Sequence, residues 1–126
     1  MSWIKSILGN KADNEAEEKL PWKLLTADVQ VENMLKESET IPVAVFKHSP
    51  RCGISSMVLR SFERNFAYKP DEVSLFMVDV VAYREISLGL ARNFEVQHES
   101  PQLLVIKNRK VILHQSHHEI NAEFLG

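Results

Sequence analysis

The chain has little of several things, and each shortage excludes something. One cysteine in 126 residues cannot close an internal disulfide, so no disulfide scaffold holds this protein together. Four glycines and five prolines exclude a collagen-like repeat. Apolar residues at 44% and charged residues at 25% exclude a chain disordered throughout. Neither sign of charge dominates: 15 basic against 17 acidic residues give a net charge of −2. A nucleic-acid binder normally advertises a basic footprint, and none is present, so no nucleic-acid partner is expected. No run is apolar and long enough to span a bilayer, so no integral membrane contact is expected. Ile7 and Leu8 lead straight into the polar run Gly9–Lys19, which leaves no apolar core for a secretory leader. A lone thiol suits a reducing compartment, and the expected location is cytoplasmic.

What is present divides near residue 20. Residues 1–20 read as a flexible extension, in which Trp3, Ile4, Ile7 and Leu8 fall at helical spacing before the polar run. Residues 21–126 read as one domain, within the usual length of about 100–200 residues.

That domain alternates strands and helices. Trp22–Leu25 is a short extended segment. Thr26 or Asp28 is placed to cap the helix that follows, with Val29, Met34 and Leu35 as core contacts. Pro42 precedes VAVFKH, whose β-branched and aromatic members predict a buried strand. After the turn Ser49–Pro50–Arg51, a helix is predicted from Cys52 to Phe66. Ile54, Val58, Phe62 and Phe66 form its apolar stripe, with Leu59 beside them. A strand over Val73–Val81 and a helix over Arg84–Phe94 follow. Ser100–Pro101 opens the strand Gln102–Ile106, Asn108–Arg109 makes a tight turn, and Val111–His114 returns as its hairpin partner. A short helix is predicted over His117–Leu125. This order implies an α/β fold with a central mixed sheet flanked by helices and a C-terminal β-hairpin. In such folds, ligands and chemistry gather at the carboxyl ends of the parallel strands.

Cys52 falls in the loop after the VAVFKH strand, where a helix begins. Unpaired N–H groups and the positive end of the helix macrodipole converge there and favour a thiolate. Sites of this kind lower a cysteine pKa from about 8.5 into a range of roughly 3.5–7.5, and the thiolate is the nucleophile in thiol–disulfide exchange. Lys47, His48 and Arg51 add positive potential just before it. The bland alternative is an inert buried cysteine. Three residues on, Ser55 occupies the place of the resolving thiol in a Cys-x-x-Cys helix. Serine cannot close that disulfide, so the chemistry stops at a mixed disulfide until an outside thiol releases it. The Ser55 hydroxyl is free to donate toward Sγ of Cys52 or to act as an ordinary first-turn serine. The Ser100–Pro101 bond can be held cis by its surroundings, which turns the Ser100 backbone toward the Cys52 loop.

The segment Lys47–Glu63, KHSPRCGISSMVLRSFE, together with Phe94–Gln102, FEVQHESPQ, resembles the monothiol bacilliredoxin family, also described as YtxJ-like proteins. The similarity runs from about Trp22 to Leu125. It implies a thioredoxin-like fold, Cys52 as nucleophile, Pro101 as a cis-proline, and His98 to Gln102 as the wall of a substrate groove. With Arg51 and Gly53 beside the thiol, these residues form the expected substrate site. The implied activity is removal of bacillithiol, or a thiol like it, from mixed disulfides on client proteins. The small thiol is then a co-substrate and no tightly bound cofactor is needed. Gly53 departs from the resemblance, since the family pattern carries proline there.

A second resemblance pulls elsewhere. Cys52-Gly53-Ile54-Ser55 is similar to the Cys-Gly-Phe-Ser motif of monothiol glutaredoxins, which implies a [2Fe–2S] cluster held between two protomers with glutathione. A third reading keeps the fold as a non-catalytic binding module. His114, His117 and His118 cluster in sequence, but surface histidines are the expected outcome and no metal site is assigned. Asp79, near the carboxyl end of a strand, reads equally as a functional candidate and as a strand-end cap.

Overall fold

The computed structural model describes residues 20–124. The stripe of Trp3, Ile4, Ile7 and Leu8 lies outside the described residues. Strand β1 (Lys23–Leu24) is followed by α1 (Asp28–Glu37), β2 (Val43–His48), α2 (Gly53–Asn65), β3 (Ser74–Asp79), α3 (Arg84–Phe94), β4 (Gln102–Lys107) and β5 (Lys110–Ser116). Two 3₁₀ turns, His117–Glu119 and Ala122–Phe124, follow β5.

The five strands form one mixed sheet in the order β1-β3-β2-β4-β5. Strands β1, β3 and β2 run parallel, whereas β4 is antiparallel to β2 and β5. Because side chains alternate across a strand, β2 feeds two cores. Val43 and Val45 pack with Met34 of α1 and Leu90 of α3 on one face. Ala44 and Phe46 pack with Val58 and Phe62 of α2 on the other. An aromatic series runs through the second core. Phe46 meets Phe62 at 5.7 Å between centroids, and Trp22 lies 5.8 Å from Phe62. Trp22 Nε1 donates to Glu63 at 2.9 Å, which satisfies the one polar atom of the indole.

Several expectations need correction. Ala27 occupies the cap position of α1, and neither Thr26 nor Asp28 supplies the capping oxygen. Gln30 does so by reaching back: its Oε1 accepts the N–H groups of Thr26 at 2.6 Å and Ala27 at 2.9 Å. Val29 is 66% exposed, so the core face of α1 is carried by Met34 with Val31 and Leu35. The β3 strand ends at Asp79 because its Oδ1 accepts the N–H groups of both Val81 and Ala82 at 2.9 Å. The final helix is two separate turns. His117 takes a left-handed φ of 54°, Ile120 is extended, and the Asn121 N–H is diverted to Gln115 at 3.0 Å.

Candidate functional site

The chemistry gathers at one end of the sheet. Strand β2 ends at His48, and the turn Ser49–Arg51 carries the chain to α2. Cys52 is the N-cap of α2, with extended backbone (φ −96°, ψ 121°) and a half-buried side chain. Its N–H donates to the Ser49 carbonyl at 3.0 Å, and its carbonyl accepts from Ser56 N–H at 3.0 Å. The backbone is thus held on both sides. The N–H groups of the first helical turn have no carbonyl below them to pair with, and they open toward the cap. A sulfur there meets the positive end of the α2 macrodipole.

Ser55 is fully buried in the first turn of α2. Its Oγ accepts the Ser49 N–H at 3.1 Å and stands 2.7 Å from His48 Nδ1. The hydroxyl therefore ties the end of β2 and the turn before Cys52 to the helix. The bond expected toward Sγ of Cys52 is not among its contacts, because His48 and Ser49 engage the oxygen first. His48 is half-buried. Burial holds its imidazole below the usual histidine range, while Asp79 and Glu63 pull the other way.

The second wall comes from β4. Lys47 of β2 pairs with Gln102 in antiparallel register. Pro101 comes immediately before Gln102, so this register brings it to the end of β2. The Ser100–Pro101 peptide bond is cis, and Pro101 is buried. The Pro101 carbonyl accepts the N–H of His117 at 3.0 Å, which ties this corner to the end of β5. The sheet register thus places the predicted residues Cys52, Ser55, Ser100 and Pro101 at the same end. Arg51 and Gly53 are exposed on the α2 side, and a side chain at Gly53 would meet nothing within 4 Å. Ile54 and Met57 are 49% and 52% exposed beside them. Ile54 thus departs from its expected core role: the apolar stripe of α2 continues one turn past the sheet and emerges at the helix mouth.

His98 lies on the other side of the sheet. Its Nδ1 is 3.2 Å from Lys47 Nζ and 3.4 Å from Ser87 Oγ. Lys47, read from sequence as a source of positive potential near the thiol, is fully buried on the α1 and α3 face. The signal for this was its place in β2: residue 47 shares parity with Val43 and Val45, whose side chains are core. Among the described residues, no group of three or more His, Cys, Asp or Glu side chains is arranged to hold a metal ion. His114, His117 and His118 do not form one. No helix among the described residues is long and apolar enough to cross a membrane.

A cysteine presented at a helix N-terminus, with no second thiol in the chain, supports single-sulfur exchange: attack on a disulfide and capture of one half of it. Solved structures agree with the fold. A thioredoxin-fold protein described as a candidate oxidoreductase is 30% identical, with a TM-score of 0.71 over 82% of this chain and 89% of its own. The thioredoxins of Malassezia sympodialis and Fasciola hepatica share the architecture. The first is 18% identical, with a TM-score of 0.62 over 79% of this chain and 83% of its own. The second is 22% identical, with a TM-score of 0.60 over 75% of this chain and 86% of its own. Residues 23–125 match the family described as monothiol bacilliredoxin BrxC, so the chain belongs to that family and is a thiol oxidoreductase of thioredoxin-like fold.

Proposed function

We propose that this protein removes a bacillithiol-like small thiol from mixed disulfides on client proteins in the cytoplasm, with Cys52 as the only sulfur it uses. The observation that carries the reading is the placement of Cys52 as N-cap of α2, half-buried at the sheet end where Pro101 also lies. The Cys52 thiolate attacks the small-thiol sulfur of a client–S–S–R bond. A Cys52–S–S–R bond forms, and the client leaves as a thiolate that takes a proton from solvent. A second small-thiol thiolate then attacks the sulfur of R. It forms R–S–S–R′ and returns Cys52 as thiolate. No net oxidant is required, because each step exchanges one thiolate for another.

The surrounding groups have matching tasks. Ser55 cannot resolve the mixed disulfide. It instead fixes the turn that presents Cys52, through Ser49 and His48. The exposed Ile54 and Met57 offer apolar contact to a client beside the sulfur. In this reading the Ser100 backbone pairs with an extended thiol substrate, and Arg51 and Gly53 border its approach.

The test is a dethiolation assay on a client protein carrying bacillithiol or glutathione, comparing wild type with Cys52→Ser. Wild type is expected to release the small thiol at a rate well above the spontaneous reaction, and Cys52→Ser to fall to the spontaneous rate. Equal rates for the two proteins would refute the proposal.

A further inference from the structure

Under the loop Glu95–Pro101 lies a polar group that the exchange steps leave unused. Lys47 has no exposed surface, and no carboxylate is within ion-pair distance of it among the described residues. Its ammonium instead meets His98 Nδ1 at 3.2 Å. Ser87, fully buried on α3, brings its Oγ to 3.4 Å from the same nitrogen. Gln102, directly across the ladder from Lys47, donates from Nε2 to the Gln97 carbonyl at 2.9 Å. Strand β2, helix α3 and the loop thus meet at one polar point, with Lys47, Ser87 and Gln102 buried and His98 half-buried, at the sheet end that also carries Pro101.

Hydrogen-bond chemistry assigns the proton. An ammonium only donates, so His98 Nδ1 accepts, and the neutral ring carries its proton on Nε2. A second proton would sit on Nδ1. Two donors and two positive charges would then face each other, and the bond would break. The charged groups around His98 are Lys47 from β2, Arg84 from α3 and Glu99 beside it in the loop. Burial, then Lys47, then Arg84 hold its imidazole below the usual histidine range, and Glu99 opposes them. Burial also lowers Lys47 to about 8, which leaves its ammonium present at neutral pH.

We propose that Lys47 and His98 form a clasp that fixes the Glu95–Pro101 loop to the sheet while His98 is neutral and releases it when the ring takes a second proton. Lys47 is then a positioning residue for exchange at Cys52. The consequence for exchange rests on the function proposed above; the clasp itself does not. Acid would loosen the substrate wall independently of the ionisation of the attacking sulfur.

The experiment is amide hydrogen exchange of residues 95–100, corrected for intrinsic rates, across the His98 titration. His98→Asn keeps an oxygen acceptor near the position of Nδ1 but cannot take the second proton. His98→Leu removes the acceptor. Wild type is expected to open about tenfold more often once His98 is protonated, as loss of one charge-assisted hydrogen bond implies. His98→Asn is expected to stay protected through the same range, and His98→Leu to be open throughout. In the unaltered chain, NMR should place the His98 midpoint below that of an ordinary histidine, and Lys47→Met should raise it. Loop exchange in His98→Leu equal to wild type at every pH would overturn the clasp, as would a His98 midpoint that Lys47→Met leaves in place. These readouts need no turnover, so an inactive Cys52 would sink the redox proposal and leave the clasp standing.

Discussion

Replacing Lys47 by methionine should stabilise the protein at neutral pH, although it removes a hydrogen bond. Burial lowers Lys47 from 10.5 to about 8, and each tenfold change in proton affinity is worth about 1.4 kcal/mol. The folded state therefore carries a penalty of about 3 kcal/mol while this amine is charged. The sign follows from linkage. Below pH 8 both folded and unfolded chains hold the proton, and the whole penalty applies. Between 8 and 10.5 the folded chain gives up the proton first, and the penalty shrinks. Above 10.5 it is gone. Methionine fills a similar volume without charge, but it leaves His98 Nδ1 with only the 3.4 Å contact to Ser87, a loss of about 1 kcal/mol. Lys47→Met is thus expected to be more stable than wild type by about 2 kcal/mol at pH 7, with the advantage falling steadily between pH 8 and 10.5. Urea denaturation of both proteins at a series of pH values gives the difference directly, and unchanged m-values would show that the same surface is exposed on unfolding. A less stable variant at pH 7, or a difference that does not move between pH 8 and 10.5, would show that the buried ammonium carries no such penalty. A gain in stability with a looser Glu95–Pro101 loop would mark Lys47 as a residue kept for function.

Three further outcomes are expected. Ser55→Ala unpairs the Ser49 N–H and His48 Nδ1 beneath a fully buried position, so it should lower stability by about 2 kcal/mol in thermal or urea unfolding and slow client exchange through a looser Cys52 turn. Ser55→Cys supplies the missing second thiol; after one round of exchange, mass spectrometry should find an internal disulfide and a free small thiol, with no outside thiol needed. Gly53→Pro should fold normally and gain up to about 1 kcal/mol, because Gly53 is the first residue of α2, the preceding Cys52 is already extended, and the position has open space. A loss of more than about 1 kcal/mol in the Gly53→Pro protein would show that its N–H does more than face the cap.

Much of the fold was legible because its periodicities are strong. The VAVFKH run has the length of a buried strand, and Val58 and Phe62 recur at helical spacing; both sit in the core as that pattern requires. The cysteine at the α2 cap was legible for the same reason, since it falls where strand pattern gives way to helix pattern. The less legible features depend on contacts between distant segments. Nothing local tells Lys47 that its amine will meet His98, which is 51 residues away. The parity of Lys47 with Val43 and Val45 was the available clue, and a charge in an apolar run drew attention to the thiol instead. Ser55 was noticed for what it replaces, yet its hydroxyl is engaged by His48 from the end of β2. Ile54 fits the stripe of α2, but the stripe outruns the sheet it packs on. At the C-terminus, side-chain capture of backbone N–H groups by Gln115 and Asn121 broke a segment whose propensity allowed one helix.

In the proposed exchange, one sulfur takes the small thiol from the client and holds it. Intact-mass spectrometry after a single turnover, with excess protein over a thiolated client and no free small thiol present, reads that transfer. One small-thiol adduct is expected on wild type for each client molecule reduced, with fragmentation mapping it to Cys52 and Cys52→Ser leaving the client modified. A client that loses its thiol while Cys52 stays unmodified, or that loses it equally with Cys52→Ser, would rule out Cys52 as the acceptor.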